Sequence, residues 1–309
     1  MKSAVLMIVF CRPDTTRKVF EAVRKARPPR LYIAADSPRM YKEGEKNRCE
    51  QVRKIFDDID WPCKVYRRFR TENMGCSKGP YDAISWFFEN EIEGVILEDD
   101  IIPIPDFFKF CDEMLEKYRH NDNVQSISGW SYFYDNCPSD YAYSYYFSRM
   151  TSSWGWATWK RVWNDMDLTL KSISLDTIES YLNTNKFPKR TKKLYLDYFK
   201  KIKKQYDIIQ SWDYQFLFSM WRHNRFVVQP LHSMTCNIGF SDGATHKFDK
   251  SISLHGTQTI YPISYPSDVR NDFALDLLRI DSEKLYWRSR MEWKCIGLWK
   301  RIKNVFKWR

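Results

Sequence analysis

The sequence predicts an α/β fold in which a mainly parallel sheet is flanked by helices. Over residues 1–120, short apolar runs alternate with segments of helical periodicity. Such alternation is typical of parallel strands joined by helices. A cluster of acidic residues follows the fourth apolar run, where ligands of open α/β sheets bind. The 309 residues are enough for one large domain of this kind.

The first half of the chain gives the regular elements. Val5–Phe10 is a continuous apolar run and predicts the first strand. Thr15–Ala26 then places apolar side chains on one helical face, and Pro28-Pro29 ends that helix. The next predicted elements, in chain order, are the strand Leu31–Ala34, the helix Cys49–Ile59, the strand Cys63–Arg68, the helix Pro80–Asn90, the strand Gly94–Leu97 and the helix Asp106–His120.

The second half has a different pattern. Short aromatic segments at Val124–Trp130, Tyr141–Phe147 and Ser152–Trp163 predict a second binding surface. Leu175–Ile209 is mostly helical in pattern and strongly basic around residues 189–204. It is either an insertion over the site or a solvated face, and we favour the solvated face because charged runs on helices usually face water.

The acidic triplet Glu98-Asp99-Asp100 follows Val95-Ile96-Leu97, so it lies where a buried strand reaches the surface. Pro103 and Pro105 cannot continue a central ladder, which places the acids at the strand end or in the turn. Carboxylates suit Mg²⁺ or Mn²⁺, ions that use one or two protein carboxylates together with substrate phosphates. The triplet therefore predicts a metal-assisted nucleotide-diphosphate site, with a solvated acidic turn as the alternative.

Composition limits the class of protein. Aromatic residues make up 17% and the formal net charge is +11, which favours nucleic acid, anionic lipid or a phosphorylated substrate as partner. The eight cysteines form no C-x-x-C pair, which argues against a zinc ribbon or a redox motif and predicts reduced thiols. Ala4–Cys11 is too short to span a membrane and lacks a cleavage site, so no export signal is predicted.

Four short motifs follow one another along the chain. They are Val9-Phe10-Cys11-Arg12, Ala34-Ala35-Asp36, Glu98-Asp99-Asp100 with Ile101 and Pro105-Asp106-Phe107-Phe108, and Ser211-Trp212-Asp213. In type and order they resemble the nucleotide-sugar glycosyltransferases of the GT-A fold, over residues 3–248. The similarity is greatest to the inverting N-acetylglucosaminyltransferase type that opens complex N-glycan branching, and to small bacterial enzymes of polysaccharide assembly. It implies a GT-A (Rossmann-like) mixed, mainly parallel sheet.

The resemblance implies roles in donor binding. Arg12 and Asp36 would contact the nucleotide base, and an acceptor carboxylate at Asp36 suits the N–H of uracil, so UDP is the predicted nucleotide. Asp100 would bind Mn²⁺ or Mg²⁺, Asp99 would lie near the ribose or the metal's waters, and Glu98 would face the donor sugar. The alternatives are a helix approach without ligand for Arg12, and a turn or cap before Pro38 for Asp36.

A segment before the third predicted helix is a weaker candidate for phosphate binding. Asn73, Gly75, Ser77, Lys78 and Gly79 would form a loop in which backbone amides and the Lys78 ammonium hold phosphate or donor-sugar oxygens. An ordinary turn is the alternative.

Inversion at the sugar carbon requires a general base, and the resemblance assigns it to Asp213. The alternative is that Asp213 merely caps the helix Tyr214–Trp221. His246, in a turn-rich segment late in the chain, is a candidate phosphate or metal contact. Either Trp154 or Trp156, with close approach at Gly155, is predicted to contact the substrate.

The chain is expected to divide into three parts. Residues 1–120 form the nucleotide-sugar-binding half, residues 121–283 the acceptor-binding and catalytic-base half of the same domain, and residues 284–309 a C-terminal amphipathic helix. This last segment has apolar residues on one helical face and Lys and Arg on the other, which predicts a helix lying in an anionic membrane interface. A helix docked on its own domain or in a dimer is the alternative.

The sequence thus predicts a metal-dependent inverting glycosyltransferase, cytoplasmic and peripheral on the inner face of the cell membrane. It would transfer a sugar, with N-acetylglucosamine as candidate, from a UDP-sugar to a lipid-linked glycan acceptor in surface polysaccharide assembly, without a nucleic-acid partner. The alternatives are a nucleotidyltransferase on a similar sheet, a nucleic-acid-binding protein, and a non-catalytic membrane scaffold. A nucleotidyltransferase would need a Gly-rich phosphate loop after the first strand, and Arg12-Pro13-Asp14 is not one.

Overall fold

The structure, a computed structural model, describes residues 1–133, 138, 140–205, 211–239 and 257–280. Two compact units are present, Met1–Asn271 and Asp272–Arg309. In the second unit only residues 272–280 are described, and residues 273–280 are helical. The first unit contains every strand and helix named below.

An eight-stranded sheet forms the centre of the first unit, in the order β3-β2-β1-β4-β8-β6-β9-β7, and a two-stranded sheet pairs β10 with β5. Strands β1 to β4, and then β6 with β9, pair in parallel, whereas β8 and β7 are antiparallel to their neighbours. The predicted α/β fold with a mixed, mainly parallel sheet is therefore confirmed. The strands are β1 Ala4–Val9, β2 Arg30–Ala35, β3 Lys64–Phe69, β4 Glu93–Glu98, β5 Ile101–Pro103, β6 Val124–Ser128, β7 Tyr145–Ser148, β8 Trp156–Trp159, β9 Phe226–Pro230 and β10 Thr235–Asn237.

Helices connect the strands and cover the sheet. β1 and β4 are buried along nearly their whole length because helices pack on both faces of a parallel sheet. The helices are α1 Pro13–Ala26, α2 Glu45–Lys54, α3 Gly75–Asn90, α4 Pro105–Tyr118, α5 Lys160–Trp163, α6 Leu175–Thr184, α7 Lys189–Gln205 and α8 Asp213–Arg222. The basic helix α7 buries Tyr195, Phe199 and Ile202, and most of its lysines are exposed. This agrees with a solvated face.

Two predicted helix boundaries were wrong. The helix expected over Cys49–Ile59 ends at Lys54, and residues Ile55–Asp58 continue as a 3₁₀ turn. The third helix begins at Gly75 instead of Pro80, so most of the predicted phosphate loop is the first turns of α3. Gly75 has a φ of +75°, which glycine adopts without steric cost, and this allows the chain to enter the helix early.

Candidate active site

The parallel pairing of β1 with β4 brings Arg12 to the acidic triplet. Ile8 lies opposite Glu98 in this register, so both strands end at the same edge of the sheet. Arg12 stands immediately before α1, whose first residue is Pro13. Proline is favoured at a first helical position because its missing N–H has no partner to lose. The turn after β1 is thus short, and it holds Arg12 beside Asp99 and Asp100.

Arg12 bridges the two aspartates with separate nitrogens. Its Nη1 donates to Asp100 Oδ2 at 2.8 Å, and its Nη2 donates to Asp99 Oδ1. The other oxygen of Asp99 accepts from the backbone N–H of Phe10 at 3.2 Å. The side chains of Asp99 and Asp100 are 4% and 10% exposed, whereas that of Arg12 is 28% exposed. The two aspartates are therefore buried and held in place by the protein, and the Arg12 guanidinium lies on the side of them that is nearer to solvent.

Burial and mutual repulsion shift the titration of these groups. Burial raises the pKa of Glu98, and the carboxylates of Asp100 and Asp99 raise it further. Burial also raises the pKa of Asp99, although the Arg12 guanidinium acts in the opposite direction. Burial alone would lower the pKa of Arg12, but the two aspartates outweigh it and the pKa rises. The single guanidinium of Arg12 does not balance three carboxyl groups, so this edge of the sheet can accept further positive charge.

One carboxylate oxygen in this cluster has no partner. Asp100 Oδ1 is buried and makes no hydrogen bond within the described part of the chain. A buried acceptor without a partner is costly, which indicates a ligand position. Among the described residues, no group of three or more His, Cys, Asp or Glu side chains is arranged to hold a metal ion. One free carboxylate oxygen nevertheless fits Mg²⁺ or Mn²⁺, because these ions take most of their ligands from phosphates and water.

The chain after β10 closes over this pair. Ile238 N–H donates to the Asp100 carbonyl at 2.9 Å, and Gly239 N–H donates to Asn237 Oδ1 at 2.8 Å. A Cβ at Gly239 would lie 1.9 Å from Asp100 Oδ2 and 2.8 Å from Arg12 Nη1. Only glycine permits this approach. Asn237 and Gly239 therefore belong to the site, and sequence reasoning missed them because nothing local links β10 to the triplet.

Asp213 reaches the same region from the other half of the chain. It is the first residue of α8, and Trp212 occupies the N-cap position. Its Oδ1 accepts from the Ser211 hydroxyl at 2.6 Å. The Ser77 hydroxyl of α3 donates to the Ser211 carbonyl at 2.7 Å, which ties the starts of α3 and α8 together. The Asp213 carboxylate also raises the pKa of Glu98, although less than Asp100 and Asp99 do.

A pair of tyrosines flanks Asp213. Tyr198 of α7 stacks on Tyr214, with ring centroids 3.9 Å apart. Burial raises the pKa of Tyr198, and the Asp213 carboxylate raises it further. Sequence reasoning did not select Tyr198, because in a basic helix a single tyrosine gives no signal of the neighbour that it packs against.

The Trp-rich segment splits between core and surface. Trp156 is 1% exposed and stacks on Trp212 at 5.6 Å, so it is a core residue in this structure. Trp159, at 2%, is also in the core. Trp154 is only partly buried and precedes β8, whose pairing with β4 begins with Trp156 opposite Ile96. Trp154 is therefore the one of the two candidates that keeps an exposed surface.

Gly155 has a packing role. Its φ is +78°, and an added Cβ would lie 2.7 Å from Thr235 Cγ2. The Thr235 hydroxyl donates to the Trp154 carbonyl at 2.7 Å. The close approach that was predicted at Gly155 is therefore made by the chain's own β10.

Asp36 and Lys78 lie at the start of α3. The Asp36 carboxylate accepts from the backbone N–H groups of Met74 and Gly75 at 3.0 to 3.1 Å, and from Ser37 N–H at 2.9 Å. A carboxylate at a helix N-terminus is stabilising. Lys78 is exposed, within the second turn of α3.

Two predicted features lie outside the described residues, namely His246 and the helix over residues 284–309. A surface groove lined by Phe108, Asp112 and Glu113 lies elsewhere. There the Asp112 carboxylate accepts from the N–H groups of Lys2 and Ser3, at the amino end of β1 and thus away from the acidic edge.

Comparison with known proteins shows only distant likeness. No protein-family model matches the chain, and no curated protein matches it. The solved structure of HddC from Yersinia pseudotuberculosis is 11% identical over 53% of this chain and 79% of that chain, with a TM-score of 0.32. GlyE, a glycosyltransferase of Streptococcus pneumoniae, is 11% identical over 74% of this chain and 45% of its own, with a TM-score of 0.35.

A third solved structure is the 4-diphosphocytidyl-2C-methyl-D-erythritol synthase of Anaerococcus prevotii, 7% identical over 81% of this chain and 93% of its own, with a TM-score of 0.36. Likeness at this level assigns neither a family nor an activity.

Proposed function

We propose that this protein is a metal-dependent inverting glycosyltransferase that transfers a sugar from a UDP-sugar, with N-acetylglucosamine as the candidate, to a glycan acceptor. The observation that supports the proposal is the buried carboxylate oxygen of Asp100, which has no partner among the described residues and is open to a divalent ion. The Asp213 carboxylate contributes to the raised pKa of Glu98 in the same acidic triplet. A candidate metal ligand and a candidate base thus act on one cluster.

Each side chain has a role that its position allows. Asp100 would hold Mn²⁺ or Mg²⁺ through its free oxygen, and the ion would supply Lewis-acid stabilisation of the departing diphosphate. Asp213 would accept the proton of the acceptor hydroxyl, and its hydrogen bond from Ser211 keeps the carboxylate oriented. Trp154, which is partly exposed, would offer an apolar face to a sugar ring.

A nucleotidyltransferase is less well supported by the start of the chain. Such an enzyme would need a phosphate-binding loop after β1. Here β1 ends at Val9 and α1 begins at Pro13, so only three residues separate them. One of these, Arg12, is already engaged by Asp99 and Asp100.

Membrane association is part of the proposal and rests on the sequence of residues 284–309. None of the described helices has the length and apolarity to cross a bilayer. We expect the full chain to float with vesicles containing anionic lipid and not with neutral ones. Replacing Trp299 and Phe306 by Glu should remove this binding, and unchanged flotation would contradict the assignment.

Thermal unfolding with UDP, with Mn²⁺, and with both tests the donor site. We expect stabilisation that requires both together, since ligand at about a hundred times its dissociation constant adds roughly 2.7 kcal/mol. Asp100→Asn should abolish it, because the amide removes the anionic ligand while preserving shape.

Asp60→Asn is the matched control, because Asp60 is an exposed aspartate paired with Arg24 on the surface. It should leave the stabilisation intact. Stabilisation that is absent with UDP and with other nucleotides, or that survives Asp100→Asn, would refute the donor site. Product analysis then tests the reaction, and a retained sugar anomer would contradict inversion by Asp213.

A further inference from the structure

The Arg12 guanidinium is bound to one oxygen of Asp100, and a cation would bind to the other oxygen of the same carboxylate. We propose that Arg12 and the divalent ion compete for this carboxylate, and that the donor diphosphate decides the competition by drawing Arg12 to itself. This inference deepens the proposed function and rests on it. Arg12 then makes ion binding conditional on the nucleotide.

The geometry puts the two cation positions on one carboxylate group. Arg12 Nη1 lies 2.8 Å from Asp100 Oδ2, and Nη2 pairs with Asp99. Asp100 Oδ1 is the remaining free oxygen of the two aspartates within the described residues. Gly239 borders Asp100 Oδ2 and Arg12 Nη1 so closely that even one added carbon would overlap Asp100. An ion on Asp100 would therefore be a near neighbour of the guanidinium.

Charge opposes that arrangement in the free protein. A guanidinium and a divalent ion on one carboxylate repel each other, and the site is largely shielded from water because both aspartates are buried. A diphosphate removes the conflict, since its oxygens can bind the ion and also accept two parallel hydrogen bonds from an arginine. Arg12 is the most exposed member of the cluster, and so it can turn toward an incoming anion.

The consequence is a coupling between the ion and the nucleotide. If UDP strengthens Mn²⁺ binding by some factor, Mn²⁺ must strengthen UDP binding by the same factor. Part of that factor arises from the Arg12–Asp100 ion pair. When Mn²⁺ binds alone, this ion pair is broken without compensation. When diphosphate is present, Arg12 forms new hydrogen bonds to it in place of those to Asp100. Removal of Arg12 should therefore strengthen binding of Mn²⁺ alone and weaken the coupling.

Mn²⁺ binding by the full chain, followed by electron paramagnetic resonance of the free ion with and without UDP, tests this directly. In Arg12→Gln we expect the affinity for Mn²⁺ without UDP to rise about tenfold, the equivalent of about 1.4 kcal/mol. The enhancement by UDP should fall by at least the same factor. Arg12→Lys, whose point charge cannot bridge both aspartates, should lie between the two.

Arg17→Gln is the matched control, because Arg17 lies in α1, which begins directly after Arg12, and pairs with exposed Asp58. It should bind Mn²⁺ as the wild type does. Circular dichroism checks each fold, and Arg12→Lys keeps the test usable if Arg12→Gln does not fold. If neither Arg12 variant binds Mn²⁺ more tightly without UDP, the competition is refuted. If UDP binds at no Mn²⁺ concentration, the proposed function fails, whereas tighter Mn²⁺ binding by Arg12→Gln would still support the competition.

Discussion

At the scale of single residues, the site depends on side chains that hold one another in place. Asp213 is oriented by Ser211, which in turn accepts a hydrogen bond from Ser77 through its carbonyl. Asp100 has one oxygen engaged by Arg12 and one left without a partner. Substitutions here should therefore separate ligand binding from chemistry.

Asp213→Asn should retain stabilisation by UDP with Mn²⁺ and lose sugar transfer. The amide cannot accept the acceptor's proton, and a general base contributes roughly 10²- to 10⁴-fold to rate. Initial rates with a UDP-sugar, alongside thermal unfolding, measure both effects. A variant that fails to fold would instead indicate a structural role at the start of α8.

Gly239→Ala should weaken binding of UDP with Mn²⁺, because the new methyl group would overlap Asp100 Oδ2. Isothermal titration of Gly239→Ala and of the wild type checks the prediction. Equal affinity of Gly239→Ala and wild type would show that the segment after β10 does not constrain Asp100.

At the scale of elements, the first turn of α3 is capped by the side chain of Asp36, the residue that directly follows β2. The Asp36 carboxylate receives the first N–H groups of α3, and Gly75 permits the backbone turn at that point. A cap of this kind contributes about 1 kcal/mol. We expect Asp36→Ala to lower the free energy of unfolding by about this amount in urea denaturation, and Asp36→Asn to recover part of it. If Asp36→Ala did not lower the free energy of unfolding, the carboxylate would have no structural role and would serve only to bind a ligand.

An ion pair between Arg39, in the loop before α2, and Glu45, the first residue of α2, should respond to pH. Glu45 is 1% exposed, and its bonds from Arg39 lower its pKa below the ordinary 4.5 despite burial. The contribution of the Glu45 carboxylate to stability is therefore complete above pH 4.5. It is lost as the pH falls through the pKa of Glu45 in the folded protein, which is lower than 4.5. The difference in free energy of unfolding between wild type and Glu45→Gln should accordingly be constant near neutrality and shrink below pH 4.5. Urea titrations across pH measure it, and a difference that grows in acid would contradict the assignment.

At the scale of the whole molecule, the net charge of +11 predicts non-specific attraction to polyanions. Binding of the chain to single-stranded DNA should weaken steeply with salt and should not change in Asp100→Asn. UDP with Mn²⁺ should behave in the opposite way, with a strong dependence on Asp100. Fluorescence anisotropy at several salt concentrations makes the comparison, and tight DNA binding that persists in high salt would favour a nucleic-acid-binding protein.

The features that the sequence predicted well are the local ones. Apolar runs such as Val95-Ile96-Leu97 predict buried strands, because a strand that is buried on both faces has no alternation of apolar and polar residues. The position of the acidic triplet at the end of β4 follows from that. Long-range features were not accessible. Neither the antiparallel insertion of β8 between β4 and β6 nor the cap from Asp36 to α3 has a local signal. Trp156 likewise looked the same as Trp154 in the sequence, because only its stacking on Trp212 places it in the core.

The arrangement of strands also bears on how the chain folds during synthesis. β1 to β4 are adjacent in space and lie within the first 98 residues, whereas the neighbour of β4 on its other side, β8, begins only at Trp156. Local pairings form before distant ones, so this half should fold while the ribosome still holds the rest. Its acidic edge would then face water unprotected, and Arg12, made early in the same half, already balances part of that charge. Pulse-labelled hydrogen exchange should show β1 and β4 protected before β8.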